Sequence, residues 1–241
     1  MPPVIESSLD VTFFVPCYNE ERNILGVLGK LVTAARILGL TYEILVFDDA
    51  STDSTAELVR RFQAERPDVP VRLFQLPANR GVARNFVEGA FQGRGQYYRL
   101  ICGDDVEPLE THLEILRMRG KADIVVPYFT TIHGRTRHRA ALSRLYTILV
   151  NAITRNRLRY YNGCPLYRRF DVLRFHIEAT GFGYQAEFLT RLLRERRSYV
   201  EVALVASDRP GSGSVNARNF LSVAHSLLKM WLGRMRVYFI K

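Results

Sequence analysis

Acidic residues are missing from long stretches of this chain. None occurs between Asp123 and Asp171, a span holding nine arginines, and none follows Asp208. Residues 1–123 carry 14 basic and 18 acidic side chains, whereas residues 124–241 carry 20 and 6, so the net charge of +10 belongs to the second half. That asymmetry points to an anionic partner: a membrane surface, a phosphorylated substrate or nucleic acid. The plain alternative is a solvated basic surface. No aromatic-basic RNA motif or zinc module accompanies the charge, which argues against nucleic acid. Cysteine is scarce. Cys17, Cys102 and Cys164 make no C-x-x-C pair and leave one thiol over in any disulfide scheme, as expected of reduced, cytosolic thiols. No apolar run approaches the roughly 18 residues of a membrane span, and Met1–Glu6 lacks the basic and apolar regions of a leader peptide. Repeats and strong linkers are absent too. What remains is an apolar fraction of 47 % over 241 residues, too high for disorder and enough for a sizeable core.

The first half alternates short β-rich runs with helical periods. Strands are expected at 11–15, 42–47, 71–76, 97–102 and 122–126. Between them, helices are expected at 19–38, from Ser51 or Thr52 to 65, at 82–92 and at 108–119. This rhythm predicts right-handed βαβ units and a mostly parallel sheet, whose ligands sit at the carboxyl ends of the strands. Three strands end in acid-bearing turns: Tyr18-Asn-Glu20, Asp48-Asp49 and Asp104-Asp105. In the second half the pattern gives a helix over 138–156, a turn and extended piece over 162–169, a helix over 184–196 and a strand over 199–205. A Gly/Ser loop and a basic amphipathic helix from Asn216 follow.

Neither G-x-G-x-x-G nor G-K-[ST] is present, so a dinucleotide or P-loop enzyme is not indicated. Five segments instead occur in a telling order: Val15-Pro-Cys-Tyr-Asn-Glu20, Asp48-Asp-Ala-Ser-Thr-Asp53, Asn79-Arg-Gly-Val-Ala-Arg-Asn85, Gly103-Asp-Asp105 and Gly181-Phe-Gly-Tyr-Gln-Ala-Glu187. Together they resemble family 2 glycosyltransferases of the GT-A fold, and within them the polyprenol-phosphate (dolichol-phosphate) sugar synthases. The resemblance runs from about residue 10 to 230. It implies a single α/β, Rossmann-like domain over 1–214, with a donor half at about 10–127, an acceptor half at about 128–214 and a helical tail at 215–241.

The resemblance further implies a nucleoside-diphosphate sugar donor with Mg²⁺ or Mn²⁺ neutralising its leaving diphosphate. Asp105 matches the family's metal-binding carboxylate, Asp104 would bind metal or ribose, and Glu107 is a further candidate ligand. Pro16, Tyr18, Glu20 and Asp48 match the nucleotide pocket. Asp49 is placed with them, although the start of a helix favours an acid in any case. Arg84 matches an arginine that reaches the donor, and Glu187 the carboxylate that serves as base or orients an acceptor-site arginine. The five histidines show no metal spacing and read as structural or surface residues.

The arginine-flanked helix over 138–156 suits a bilayer interface. Arg139, Arg168 and Arg169 are candidates to hold a lipid-phosphate acceptor. The tail repeats the interfacial pattern but could equally dock on a membrane-protein partner or a second copy. One departure stands out. The synthases usually carry an Asp three residues before the Gly of the segment that starts here at Asn162, and this chain has Tyr160. Gly103 also replaces the first Asp of their D-x-D. A phosphate monoester, already ionised at neutral pH, needs little base; otherwise the acceptor is a saccharide or small hydroxyl compound. A catalytically silent partner protein is the third reading, opposed by the intact Asp48, Asp104, Asp105 and Glu187. The location expected is the cytoplasmic face of the membrane, held peripherally.

Overall fold

A computed structural model describes residues 9–174, 183–207 and 227–228. The strands are β1 (Leu9–Cys17), β2 (Tyr42–Asp48), β3 (Val71–Gln75), β4 (Gly95–Leu100), β5 (Ile124–His133), β6 (Leu166–Arg168) and β7 (Tyr199–Ser207). The helices are α1 (Ile24–Ile37), α2 (Thr55–Glu65), α3 (Val82–Gln92), α4 (Leu109–Arg117), α5 (Arg137–Thr154), α6 (Arg169–Leu173) and α7 (Tyr184–Arg194). The expected tail over 215–241 lies outside the described residues apart from Leu227 and Leu228.

All seven strands join one sheet in the order β3-β2-β1-β4-β6-β5-β7. It is parallel except for β6, which runs antiparallel to both β4 and β5. Because side chains alternate along a strand, consecutive residues feed opposite layers. Phe13, Val15, Ile44, Val46, Tyr97 and Ile101 pack with α1, α2 and α4 on one face. Phe14, Leu45, Phe47, Tyr98 and Leu100 pack with α3, α5 and α7 on the other. Phe86 of α3 is the hub of that second layer. Its ring centroid lies 5.1 to 6.2 Å from those of Phe14, Tyr98, Tyr167, Tyr184 and Phe188, mostly tilted or edge-on, as aromatic quadrupoles prefer.

The expected single α/β domain with a mostly parallel sheet flanked by helices is what the structure shows. Three local expectations differ. α2 starts at Thr55 rather than 51–52, with Ser54 as its N-cap, and the Asp53 carboxylate just before it accepts from the Thr55 amide at 3.0 Å. β5 runs to His133 because it has β7 as a parallel partner along its whole length. The extended piece near 166 becomes a sheet strand only because β4 and β5 leave a gap of one strand between them.

Candidate functional site

The chain winds outward from β1 to β3, then returns through α3 to pair β4 on the other side of β1. Such a switch point leaves a crevice beyond the carboxyl ends of β1 and β4, where no crossover covers it. Pro16–Glu20 leaves β1 there and Cys102–Asp105 leaves β4 there. The floor is laced together before any ligand arrives. The Asn19 amide donates to Ser51 Oγ, the Glu20 amide to Thr55 Oγ1 and the Glu21 amide to Asp53 Oδ2, at 2.9 to 3.1 Å. In return, Thr52 and Ser54 amides donate to the side chains of Asn19 and Glu21. Four carboxylates gather around the end of β1. Burial first, then the charges of Asp48, Glu20, Asp53 and Asp49, push the Cys17 thiol far above its ordinary range.

The β4 turn approaches this floor closely. A Cβ at Gly103 would meet the Pro16 carbonyl oxygen at 3.0 Å and Cys17 Cβ at 3.2 Å, so the glycine lets the two loops approach closely. Asp104 follows, half-buried. Asp105 has φ +58°, in the left-handed region, and its side chain turns towards α1. Its Oδ1 lies 3.0 Å from Lys30 Nζ, and its Oδ2 lies where a Cβ on Gly26 would be only 2.7 Å away. Lys30 also donates to the carbonyls of Asp105 and Glu107 at 3.4 and 3.2 Å.

Behind the turn stands Arg99 of β4, fully buried. It donates to Glu107 Oε2 at 2.8 Å, to the Cys164 carbonyl at 3.2 Å and, through Nη1, to His112 Nδ1 at 2.7 Å. His112 is held well below the imidazole value of 6.5, by burial first and then by Arg99 and Lys30, so the ring is neutral and Nδ1 accepts. The unfolded chain takes up this proton near pH 6.5 and the folded chain does not. The stability that His112 contributes is therefore complete above that pH and is lost as the pH falls below it. Thermal melts between pH 7.5 and 5 are expected to show a steeper loss in the wild type than in His112→Asn; parallel curves would refute the assignment.

The residues expected from sequence do not all meet. Pro16, Tyr18, Glu20, Asp104 and Asp105 lie on the two strand-end loops of the crevice, Asp48 ends the neighbouring β2 opposite Cys17, and Tyr18 is 50 % exposed, free to offer its ring. Asp48 is buried and accepts from the Ser51 amide at 3.0 Å. Asp49 spends both oxygens on the amides of Arg80 and Gly81, at 2.8 and 2.9 Å, and so holds the loop that starts α3 and presents the exposed Arg84. Glu187, near the start of α7, is buried. Its Oε1 pairs with Arg191 at 2.7 Å, while Oε2 has no hydrogen-bond partner among the described residues. Arg139 sits in the first turn of α5, where its amide donates to the Thr136 cap.

Three placements bear on the expected roles. Glu107, expected as a further metal ligand, pairs one carboxylate oxygen with buried Arg99. Arg168 and Arg169 are not at the acceptor side of the crevice. β6 runs antiparallel, and Arg168 pairs with Tyr97 near the start of β4, so both arginines lie at the amino edge of the parallel strands. There Arg168 pairs with Asp123 at 3.1 Å and Arg169 donates to the carbonyls of Gly95 and Ala90. The sequence singles out neither Lys30 nor Arg99, while His112, expected to be structural or on the surface, is a buried structural residue. For Lys30 a signal exists: it is one of four lysines in the chain and stands four residues after Gly26 on the same helix face.

The sequence pattern of glycosyl transferase family 2 matches residues 12–177, more than half of the chain. The chain belongs to that family. It is 31 % identical over 131 residues to a dolichyl-phosphate beta-glucosyltransferase of Trichomonas vaginalis, covering 50 % of this chain and 38 % of that one. To the undecaprenyl-phosphate 4-deoxy-4-formamido-L-arabinose transferase of Salmonella paratyphi B it is 28 % identical over 193 residues, covering 77 % and 58 %. The chain thus spans well under two thirds of the length of these family 2 relatives. Among solved structures, the fold is shared with glucosyl-3-phosphoglycerate synthase of Mycobacterium tuberculosis, a complex with Mn²⁺ and UDP. The TM-score is 0.67 at 15 % identity, over 94 % of this chain and 80 % of that one. A mannosyltransferase of Pyrobaculum calidifontis, in complex with GDP-Man and Mn²⁺, gives 0.66 at 18 %, over 95 % and 64 %. The family resemblance and GT-A fold expected from the motifs are thereby established.

Proposed function

We propose that this protein is an inverting, metal-dependent glycosyltransferase that moves a sugar from a nucleoside diphosphate to a polyprenol-phosphate-type lipid at a membrane face. The observation that carries the reading is the convergence of the Pro16–Glu20 and Gly103–Asp105 loops on one switch-point crevice. The lipid-phosphate relatives and the nucleotide-bound structural neighbours support it.

In this reading Tyr18 stacks on the base, Glu20 and Asp48 line the nucleotide pocket, and Arg84 reaches the diphosphate from the loop that Asp49 holds. Among the described residues no three His, Cys, Asp or Glu side chains converge as a metal cage. The rim carboxylate of Asp104 nevertheless suits Mg²⁺ or Mn²⁺. These hard ions keep several waters and fill their shells with phosphate oxygens of the substrate. The chemistry such an ion supplies is neutralisation of charge on the departing diphosphate. Glu187, with one oxygen on Arg191 and one without a partner, is the candidate to accept or steer an acceptor proton. A phosphate-monoester acceptor, whose second pKa is about 6, asks little of it.

The membrane face rests on α5. Its Leu142, Leu145, Ile148 and Leu149 are 40 to 56 % exposed, and exposed Arg137, Arg144, Arg155 and Arg157 flank them. An amphipathic helix of this make-up lies in the interface of anionic lipids. β5 ends and β6 begins at the carboxyl edge, so α5 leaves from and returns to the rim that bears the crevice. No helix among the described residues is long and apolar enough to cross a membrane.

The saccharide-acceptor reading keeps one specific observation on its side: Tyr160, whose ring meets Phe129 edge-on at 5.4 Å, stands where the synthases carry Asp. The test is turnover of UDP- and GDP-sugars with Mn²⁺, with and without polyprenol phosphate in anionic vesicles, for the wild type and Leu145→Glu/Ile148→Glu. Lipid-stimulated turnover is expected, with vesicle binding and stimulation lost in the variant. Donor turnover indifferent to lipid would favour the saccharide acceptor, and no turnover of any donor would overturn the enzyme reading.

A further inference from the structure

We infer that Cys102 and Cys164 form an oxidation site beside the crevice, a dithiol that a peroxide closes to a disulfide and a reductant reopens. The modification goes beyond the functional reading above, and only its effect on turnover rests on that reading. Cys102 follows β4 and leads directly into Gly103-Asp104, and Cys164 lies just before β6. The two strands are antiparallel with Arg99 opposite Leu166. Three residues onward from Arg99 and two back from Leu166 bring the cysteines nearly face to face. Their sulfurs are 4.0 Å apart, one donating to the other. Antiparallel strands hold facing Cα atoms about 4.5–5.5 Å apart, inside the roughly 4.4–6.8 Å that a disulfide spans. The third thiol stays out of the pair. Cys102 and Cys164 pack with the layer of α3, α5 and α7. Cys17 packs with the opposite layer, its thiol donating to the Phe47 carbonyl at 3.5 Å. The odd thiol of the sequence is therefore Cys17.

The two partners differ in access. Cys102 keeps part of its surface open, while Cys164 is buried and accepts from Gln185 Nε2 at 3.8 Å. Hydrogen peroxide, small and uncharged, therefore meets Cys102 first. The Cys102 sulfur attacks one peroxide oxygen, the O–O bond breaks, and a sulfenic acid and one water result. The Cys164 sulfur then attacks that sulfur, the S–O bond breaks, and the disulfide forms as a second water leaves. Two thiols give up two protons and two electrons, and one peroxide becomes two waters. Closing the bond brings the sulfurs from 4.0 Å to about 2.05 Å. That travel pulls on the turn that carries Asp104 and on Gln185, which shares the first turns of α7 with Glu187. The disulfide thus displaces parts of the site from two sides.

The test treats the full chain with hydrogen peroxide, then denatures, alkylates with iodoacetamide and digests it, beside Cys102→Ala and Cys164→Ala. Thermal melts check that each variant is folded. Alkylation is expected to fall from all three cysteines to Cys17 alone, with one pair of peptides joined through Cys102 and Cys164. Dithiothreitol should restore the other two. Neither variant should form an intramolecular disulfide, and Cys102 in Cys164→Ala should stop at the sulfenic acid, trapped by dimedone. Unchanged alkylation after peroxide, or a disulfide that includes Cys17 or joins two chains, overturns the site. Donor turnover with Mn²⁺ should fall about a hundredfold on oxidation, the scale of a misplacement of about 1 Å near reacting atoms, and recover with dithiothreitol. Cys102→Ala should turn over equally with and without peroxide. Full turnover by the disulfide form overturns the effect on the site. A reduced wild type that turns over no donor overturns the functional reading alone, because the disulfide is counted independently of it.

Discussion

Asp104→Asn is expected to lower sugar transfer by at least a hundred- to a thousandfold, the scale of removing one preorganised electrostatic group from a transition state, while Tm stays where it was. The substitution keeps shape and removes the charge that a hard dication requires. Asp104 is half-buried on the rim, and an amide of the same size fills its place. Steady-state transfer at saturating donor, read beside a thermal melt, checks both halves. An Asp104→Asn protein with transfer within tenfold of the wild type would remove this carboxylate from the mechanism. So would a loss of activity that merely tracked unfolding.

Arg99→Met is the substitution expected to hurt stability most. Arg99 has no exposed surface, and its three hydrogen bonds satisfy Glu107, His112 and the Cys164 carbonyl at once. Breaking a buried pair by removing one partner strands the other, at about 3–5 kcal/mol. At roughly 2–4 °C per kcal/mol for a chain of this size, the melt should fall by about 10 °C. Adding Glu107→Leu removes the stranded charge, so the double variant should regain much of the loss. A double variant as unstable as the sum of the two singles would show that shape, not charge balance, dominates at this position.

The alternating half of the chain was largely legible. The apolar spacing of Ile24, Val27, Leu28, Leu31 and Ala35 gave α1, and Val82–Gln92 was expected at the bounds observed for α3. Such segments carry one period over many residues and bury one face, so local pattern and tertiary role agree. β6 was not legible as a strand. Three residues hold no period, and what makes Leu166–Arg168 a strand is the pair of unfilled edges on either side. Its direction was invisible too, and direction decides which edge of the sheet Arg168 and Arg169 occupy. Had β6 run parallel, both would stand on the rim.

The site shows the same division. The acid-bearing turns followed from strand ends, and the structure brings the β1 and β4 loops together. That Asp105 takes a left-handed backbone and meets Lys30 is set by tertiary context, and the burial of Glu107 depends on an arginine eight residues earlier on β4. Neither is written in the order of acidic letters. The carboxylates of Asp48 and Asp49 illustrate the point: one caps its own turn and the other clamps a loop about thirty residues away.

The reversed strand also sets the order in which the molecule can be completed. β1 to β4 form from contiguous sequence, but β4 and β5 never touch as neighbours in the sheet. The slot between them is filled by residues that follow the whole of α5, and until Leu166–Arg168 arrive the inner edge of β4 keeps its amides and carbonyls without strand partners. On a ribosome, a nearly finished donor half therefore waits with an open edge while residues 101–165 are made, and three residues then close the sheet.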